Sequence, residues 1–271
     1  MINIKIGDCR NIIKELPSNY FNTCVTSPPY WGLRDYGNNG QLGLEETPKE
    51  FVDNLVKVFR EVKRVLRDDG TIWLNLGDSY SSGGRTSTTN QTVRGDKDYG
   101  VTRPAVCKDI KPKDLVGIPW KVAFALQEDG WYLRQDIIWN KPNPMPESVK
   151  DRCTKAHEYI FLLSKSKNYY FDNKSIYENK NKRSVWTITT KPYKEAHFAT
   201  YPPDLIEPCI LAGCPENGNV LDPFGGAGTT ALVADRLHRN ATIIELNKEY
   251  IKIADKRITN DAPLFTKIKV S

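Results

Sequence analysis

The sequence contains no long apolar run. Nothing in it approaches the ~18 uncharged apolar residues that cross a bilayer, and the opening MINIKIGDCR lacks the apolar stretch of an export signal. The expectation is a cytoplasmic protein with no membrane attachment. Cysteine is present but without metal-binding or disulfide spacing: the six residues at 9, 24, 107, 153, 209 and 214 include no CxxC pair. That argues against zinc and disulfide frameworks and leaves reduced core thiols. No internal repeat interrupts the chain, which excludes solenoid and propeller arrays.

What is there suits one substantial α/β core of 271 residues, with 39% hydrophobic and 27% charged residues. Net charge is +6 but unevenly spread. Residues 1–79 carry 10 Lys/Arg against 11 Asp/Glu and residues 201–271 carry 8 against 9, whereas residues 80–200 carry 21 against 13. A basic surplus confined to one segment and interleaved with Tyr, Trp and Thr points to a polyanion, although a solvated surface accounts for it equally well.

The chain alternates strand and helix patterns. Strands are expected at 2–6, 21–26, 71–76, 131–139, 158–166, 218–222 and 241–246. Helices are expected at 10–16, 47–66, 117–130, 202–214, 229–237 and 248–258. In the second helix, apolar residues 51, 55, 58, 59, 62, 65 and 66 form one stripe, while Thr47, Pro48 and Glu50 supply a cap, a first-turn proline and a capping box. Alternation of this kind argues a mostly parallel, doubly wound sheet with helices on both faces. Two stretches break it: 79–114, polar and basic, expected as a mobile loop, and 140–200, Pro-rich then Lys/Asn-rich, expected to include an inserted recognition region. The whole of 1–271 is expected to form a single domain.

The stretch NVLDPFGGAGTTALVADRL (219–237) is strand, glycine turn, helix. It lacks the lysine of a phosphate-binding P-loop and is not GxGxxG. Asp222 ends its strand, and Glu245 ends the next one, 20 residues after Gly225, the spacing of an acid that accepts from a ribose diol. Asp8 and Ser27 also end strands. Four polar groups thus fall at four carboxyl strand ends, where open α/β sheets bind ligands. A second constellation, TSPPYW (26–31), places Pro28 and Pro29 where neither helix nor ladder can continue.

Together, DPFGGAGTT and TSPPYW resemble the beta class of S-adenosylmethionine-dependent DNA amino-methyltransferases, in which the catalytic motif precedes the cofactor loop. The resemblance covers nearly the whole chain and implies a Rossmann-like methyltransferase fold. It implies catalytic roles for Ser27, Pro28, Pro29 and Tyr30. It implies cofactor contacts for Asp8 (adenine), Glu245 (ribose), and Asp222, Phe224, Gly225, Gly226, Gly228, Thr229 and Thr230 (methionine side). Phe198 and Thr200, in HFATYPPDL, are implied to close over the cofactor. In this motif order the recognition region lies between the two motifs, which is where the charge surplus falls.

The amino group of cytosine or adenine is a poor nucleophile because its lone pair is delocalised into the ring. A hydroxyl at Ser27 and the Pro28 carbonyl can accept its hydrogens and turn the lone pair toward the methyl donor, held still by the prolines. The donor's cationic sulfur makes the methyl electrophilic, so no metal is needed. Tyr30 offers a ring to a base flipped out of the duplex, and Trp31 either assists or packs in the core. Lys141 and Pro142 are expected to border the base pocket, and Lys180, Lys182 and Arg183 to meet DNA. Ser before Pro-Pro-Tyr resembles the cytosine-N4 enzymes, with adenine-N6 the alternative. Double-stranded DNA is the implied partner; a cognate restriction endonuclease and a homodimer stay open.

Four rivals remain. A protein or ribosomal-RNA amino-methyltransferase usually carries Asn before the prolines, and Ser27 and the basic insert argue against it. A ring-carbon methyltransferase would use a cysteine after proline, as in Pro208-Cys209. A nicotinamide-dependent oxidoreductase accounts for the glycine turn and Glu245 but not for TSPPYW. A non-catalytic DNA-binding module would bind the cofactor without transfer.

Overall fold

The stripe at 47–66 folds as its residues dictate. Thr47 accepts from the Glu50 amide at 3.2 Å, the Glu50 carboxylate accepts from the Thr47 amide at 3.3 Å, and Pro48 takes the first turn. Phe51, Leu55, Val58, Phe59, Val62 and Val65 are buried along one face, each worth roughly 1.5–3 kcal/mol of burial. The computed structural model describes residues 1–32, 40–81, 110–191, 200–261 and 267–271.

Along the chain come β1 (Ile2–Ile6), α1 (Cys9–Ile12), β2 (Phe21–Thr26), α2 (Pro48–Val65), β3 (Leu66–Leu76), α3 (Ile118–Glu128), β4 (Tyr132–Asn140) and β5 (His157–Ser164). Then follow β6 (Val185–Thr187), α4 (Pro203–Gly213), β7 (Asn219–Asp222), α5 (Thr229–Arg236), β8 (Asn240–Glu245), α6 (Lys248–Asp261) and β9 (Ile268–Val270). The strands form one sheet in the order β6-β4-β5-β3-β2-β7-β8-β1-β9. Every neighbouring pair is parallel except the two that β5 makes, with β3 and with β4.

Alternating side chains feed two apolar layers, as a sheet covered on both faces requires. Ile72 and Leu74 join Phe59 of α2 and Val122 of α3 on one face, and Trp73 joins Ile210 of α4 and Val233 of α5 on the other. Among the described residues no helix is long and apolar enough to cross a membrane.

Several boundaries differ from the expectations. β3 starts at Leu66, directly after α2, so Asp69-Gly70 lies inside the strand rather than before it. Phe21 pairs with Leu66 and then Thr23 with Thr71, so residues 67–70 bulge from the ladder. Two three-residue strands, β6 and β9, are too short to show a periodicity; β6 lies within 140–200 and extends the sheet beside β4. The expected mobile loop at 79–114 falls mostly outside the described residues. Its two feet are joined: Ser81 and Asp114 by an N–H to carbonyl bond of 2.8 Å, Lys113 and Ser81 at 3.0 Å, and Val116 and Ser79 at 2.9 Å.

Candidate active site

The winding of the sheet reverses between β2 and β7. From β2 the chain proceeds to β3 on one side, and from β7 to β8 on the other, which opens a crevice at the carboxyl ends of the two strands. The Thr26 hydroxyl at the end of β2 donates to Asp222 Oδ1 at the end of β7, at 2.6 Å and across 196 positions of sequence. This bond ties the Ser27–Tyr30 turn to the glycine turn.

Asp222 is 1% exposed, and its carboxylate also accepts from the Thr230 hydroxyl at 2.5 Å, the Phe224 amide at 3.0 Å and the Tyr201 hydroxyl at 3.2 Å. Burial pushes the Asp222 carboxyl up, and these donors offset only part of that rise. The same burial, together with the Asp222 charge, lifts the Tyr201 phenol well above its ordinary range, so it stays a neutral donor. Asp222 and Thr230, expected to touch a cofactor, are engaged within the protein, their oxygens joining β2, β7, α5 and Tyr201. Thr229 is similarly engaged, its hydroxyl accepting from Arg257 at 2.9 Å.

The open surface of the turn lies one step further on. Gly225 packs against Ile243 and Gly228 against Ala254. Gly226 has φ +49°, and a Cβ there would meet nothing nearer than the Phe224 carbonyl at 3.9 Å. Its amide donates to Glu245 Oε2 at 2.8 Å, and the Asn247 amide donates to Oε1 at 2.7 Å. Burial raises the Glu245 carboxyl above its ordinary range, with both amides pulling the other way. Phe224 is half-buried beside them. Asp8 follows β1, next to Glu245 in the sheet, and caps α1 through the Arg10 amide at 2.9 Å. Partial burial alone would raise Asp8, but hydrogen bonds and charge from Arg10 hold it below the usual carboxylate range. Thr200 is half-buried just before Tyr201, and Phe198 lies outside the described residues.

On the β2 side, the Ser27 hydroxyl has no hydrogen-bond partner among the described residues. Pro28 is buried behind it. The Tyr30 hydroxyl donates to Glu158 Oε2 at 2.7 Å, and the Asn75 amide nitrogen donates to the same oxygen at 3.2 Å and to the Tyr159 carbonyl at 3.1 Å. Lys141 completes the cluster by pairing with Glu158 Oε1, its Nζ 4.2 Å from the Trp139 ring centre. Lys141 therefore reaches the same edge as Ser27, with Pro142 exposed beside it.

The other aromatic of the motif turns away. Trp31 is 5% exposed in the core, donating to the Glu45 carbonyl at 2.9 Å, the second of the two roles expected for it rather than contact with a base. Lys180, Lys182 and Arg183 line a cavity of about 420 Å³ beside β6, where Lys182 pairs with Glu178 at 2.5 Å. Cys209 is buried within α4, its thiol facing the Leu205 carbonyl and pushed up by burial, which removes the ring-carbon rival.

Glu158, Asn75 and Tyr201 escaped the sequence reading. Glu158 is the second residue of β5, and only because β5 runs antiparallel to β3 and β4 does its beginning lie at the carboxyl edge of the others. Asn75 and Tyr201 carry no motif; the position of Tyr201 just ahead of the helix-leading PPDL was the one available signal.

Comparison with known proteins places these features in context. The profile of a DNA methylase family, the N6/N4 group, matches residues 21–256. The Type II methyltransferase M.SmaI of Serratia marcescens is 53% identical over 94% of this chain and 90% of its own length. The Type II methyltransferase M.Cfr9I of Citrobacter freundii is 51% identical, over 94% and 87% respectively. Among solved structures, the cytosine-N4-specific PvuII DNA methyltransferase superposes with a TM-score of 0.73 at 21% identity, covering 95% of this chain and 90% of that one.

Proposed function

We propose that this chain, which belongs to the N6/N4 DNA methylase family, methylates the exocyclic N4 of a cytosine in double-stranded DNA. An S-adenosylmethionine-dependent DNA methyltransferase of the N4/N6 class, related to Type II modification enzymes, is the premise; cytosine as the target is our reading.

The residues of the glycine turn fit the cofactor. The vacant space at Gly226 would receive its methionine end, Glu245 has lone pairs left for a ribose diol, and Asp8 lies at the neighbouring strand end. When bound, S-adenosylmethionine supplies a methyl group on a cationic sulfur. Ser27 accepts a hydrogen of the target amino group and the Pro28 carbonyl accepts the other. Because Pro28 is buried and the Thr26–Asp222 bond fixes the strand end, both acceptors stand in place before the base arrives. Tyr30 lies against the base ring. Lys141 and Pro142 border the pocket, and the basic part of residues 140–200, including Lys180 and Arg183, follows the DNA backbone.

The observation that carries the reading is a neutral serine hydroxyl, unpartnered among the described residues, at a strand end bonded directly to the glycine turn. Serine before Pro-Pro-Tyr favours cytosine over adenine. The test is nucleoside analysis of DNA from cells expressing the protein. N4-methylcytosine is expected; N6-methyladenine alone overturns the base assignment, and no transfer to any duplex overturns the enzyme.

A further inference from the structure

Tyr30 is held from behind by groups on β3 and β5 and by a lysine just after β4. Its hydroxyl donates to Glu158 on β5 at 2.7 Å, and Asn75 on β3 fixes the same carboxylate oxygen at 3.2 Å. The other Glu158 oxygen is held by Lys141, which follows β4. Both members of the Lys141–Glu158 pair are largely removed from water, their side chains 17% and 15% exposed. Lys155 lies in the same corner, its buried amine without a hydrogen-bond partner among the described residues; burial lowers its pKa, against the pull of Asp78 and Glu158. The ring itself rests against Gly77: a Cβ there would be 2.6 Å from Tyr30 Cε2.

A half-buried ion pair contributes little net stability, since desolvating the two charges offsets most of their attraction. A geometric role fits its placement better. We infer that Glu158, oriented by Lys141 and Asn75, is a positioning residue that sets the plane of the Tyr30 ring for the target base; this rests on the methyltransferase reading above. Without the carboxylate, the phenol loses its 2.7 Å bond, and the 3.4 Å contact with Asn75 Oδ1 holds the ring plane less tightly over Gly77. A mis-set ring spoils the approach of the amino nitrogen to the methyl, not the binding of the cofactor, whose contacts lie on the other side of the crevice.

The test compares Tyr30→Phe, Glu158→Ala, Glu158→Gln and the double variant Tyr30→Phe/Glu158→Ala, reading methyl transfer from labelled S-adenosylmethionine to genomic DNA. Tyr30→Phe removes one oxygen and leaves the ion pair whole, so its folding is not in question. Both Tyr30→Phe and Glu158→Ala should lower kcat about tenfold with KM for S-adenosylmethionine unchanged, and the double variant should be no slower than the slower single, since one bond is removed either way. Glu158→Gln, whose amide oxygen can still accept from the phenol, should fall between Glu158→Ala and the wild type. Wild-type kcat in Tyr30→Phe, or additive losses in the double variant, overturns the positioning role while wild-type transfer keeps the enzyme reading intact. Absence of transfer by the wild type overturns the reading beneath it.

Discussion

The two halves of the crevice are built differently. The half around β7 and β8 is stitched together by local bonds: the Gly226 and Asn247 amides to Glu245, the Phe224 amide to Asp222, and Asp8 to the helix it caps. The half around β2, β3 and β5 is assembled from distant side chains, with Glu158 lying 128 positions from Tyr30 and 83 from Asn75. One half is a short peptide shape and the other a tertiary arrangement. A ligand shared by many enzymes can be met by the former, while a base presented in varied sequence contexts requires the latter.

If the halves divide the labour in this way, single changes should separate chemistry from cofactor binding. Ser27→Ala should lower kcat by about 100- to 1000-fold, the scale of losing one preorganised acceptor, with S-adenosylmethionine affinity within a few-fold of wild type by calorimetry. A parallel loss of affinity would show that the halves are not separable.

Next in size is the converse. Gly226→Val should weaken S-adenosylmethionine binding by roughly 100-fold or more and lower stability by only about 1–2 kcal/mol, since its side chain enters open space but takes a strained φ. Asp222→Ala should instead lower stability by about 2–5 kcal/mol in denaturant melts, because four buried donors lose their acceptor. Equal melting of the two variants would erase the distinction between cradle and brace.

A smaller effect belongs to the basic rim. Neutralising Lys180, Lys182 and Arg183 together should reduce the salt slope of DNA binding by about 1 to 2 units rather than 3, because Lys182 already has Glu178 as a partner. An unchanged slope would remove this rim from the interface.

The smallest concerns Asp8, whose depressed folded-state pKa makes it stabilising when ionised. The stability gap between the wild type and Asp8→Asn should be full at neutral pH, about 0.5–1 kcal/mol for a partly exposed pair, should start to shrink near the ordinary value of 3.8 and should be lost as pH falls through the lowered folded-state value. A gap that persists in acid would show that the ionised carboxylate is not its source.

Legibility followed the same division. The glycine turn, Glu245 and the capping box of α2 are local patterns, and their elements fold within a few residues of the expected bounds. The sequence placed Ser27 at a strand end but could not show that Trp31, next to Tyr30, turns into the core, since both are aromatics in one motif. Glu158 was invisible for a topological reason: the direction of β5 depends on which strands it joins, and nothing in HEYIFLLS encodes that. Asp222 was found from its place at a strand end, but its four protein donors were not legible, because a strand-end carboxylate looks the same whatever its oxygens face.

The joined feet of the 79–114 stretch have a consequence for how such a protein diversifies. Ser79–Ser81 and Lys113–Val116 close the stretch by backbone bonds that do not depend on side-chain identity. Whatever runs between them can lengthen, shorten or be exchanged for another segment while β3 and α3 keep their places. Doubling the length of such a closed excursion costs only about 0.6 kcal/mol of closure entropy. The two feet are thus a splice joint, the place where a segment grafted from one relative to another is least apt to disturb the catalytic frame.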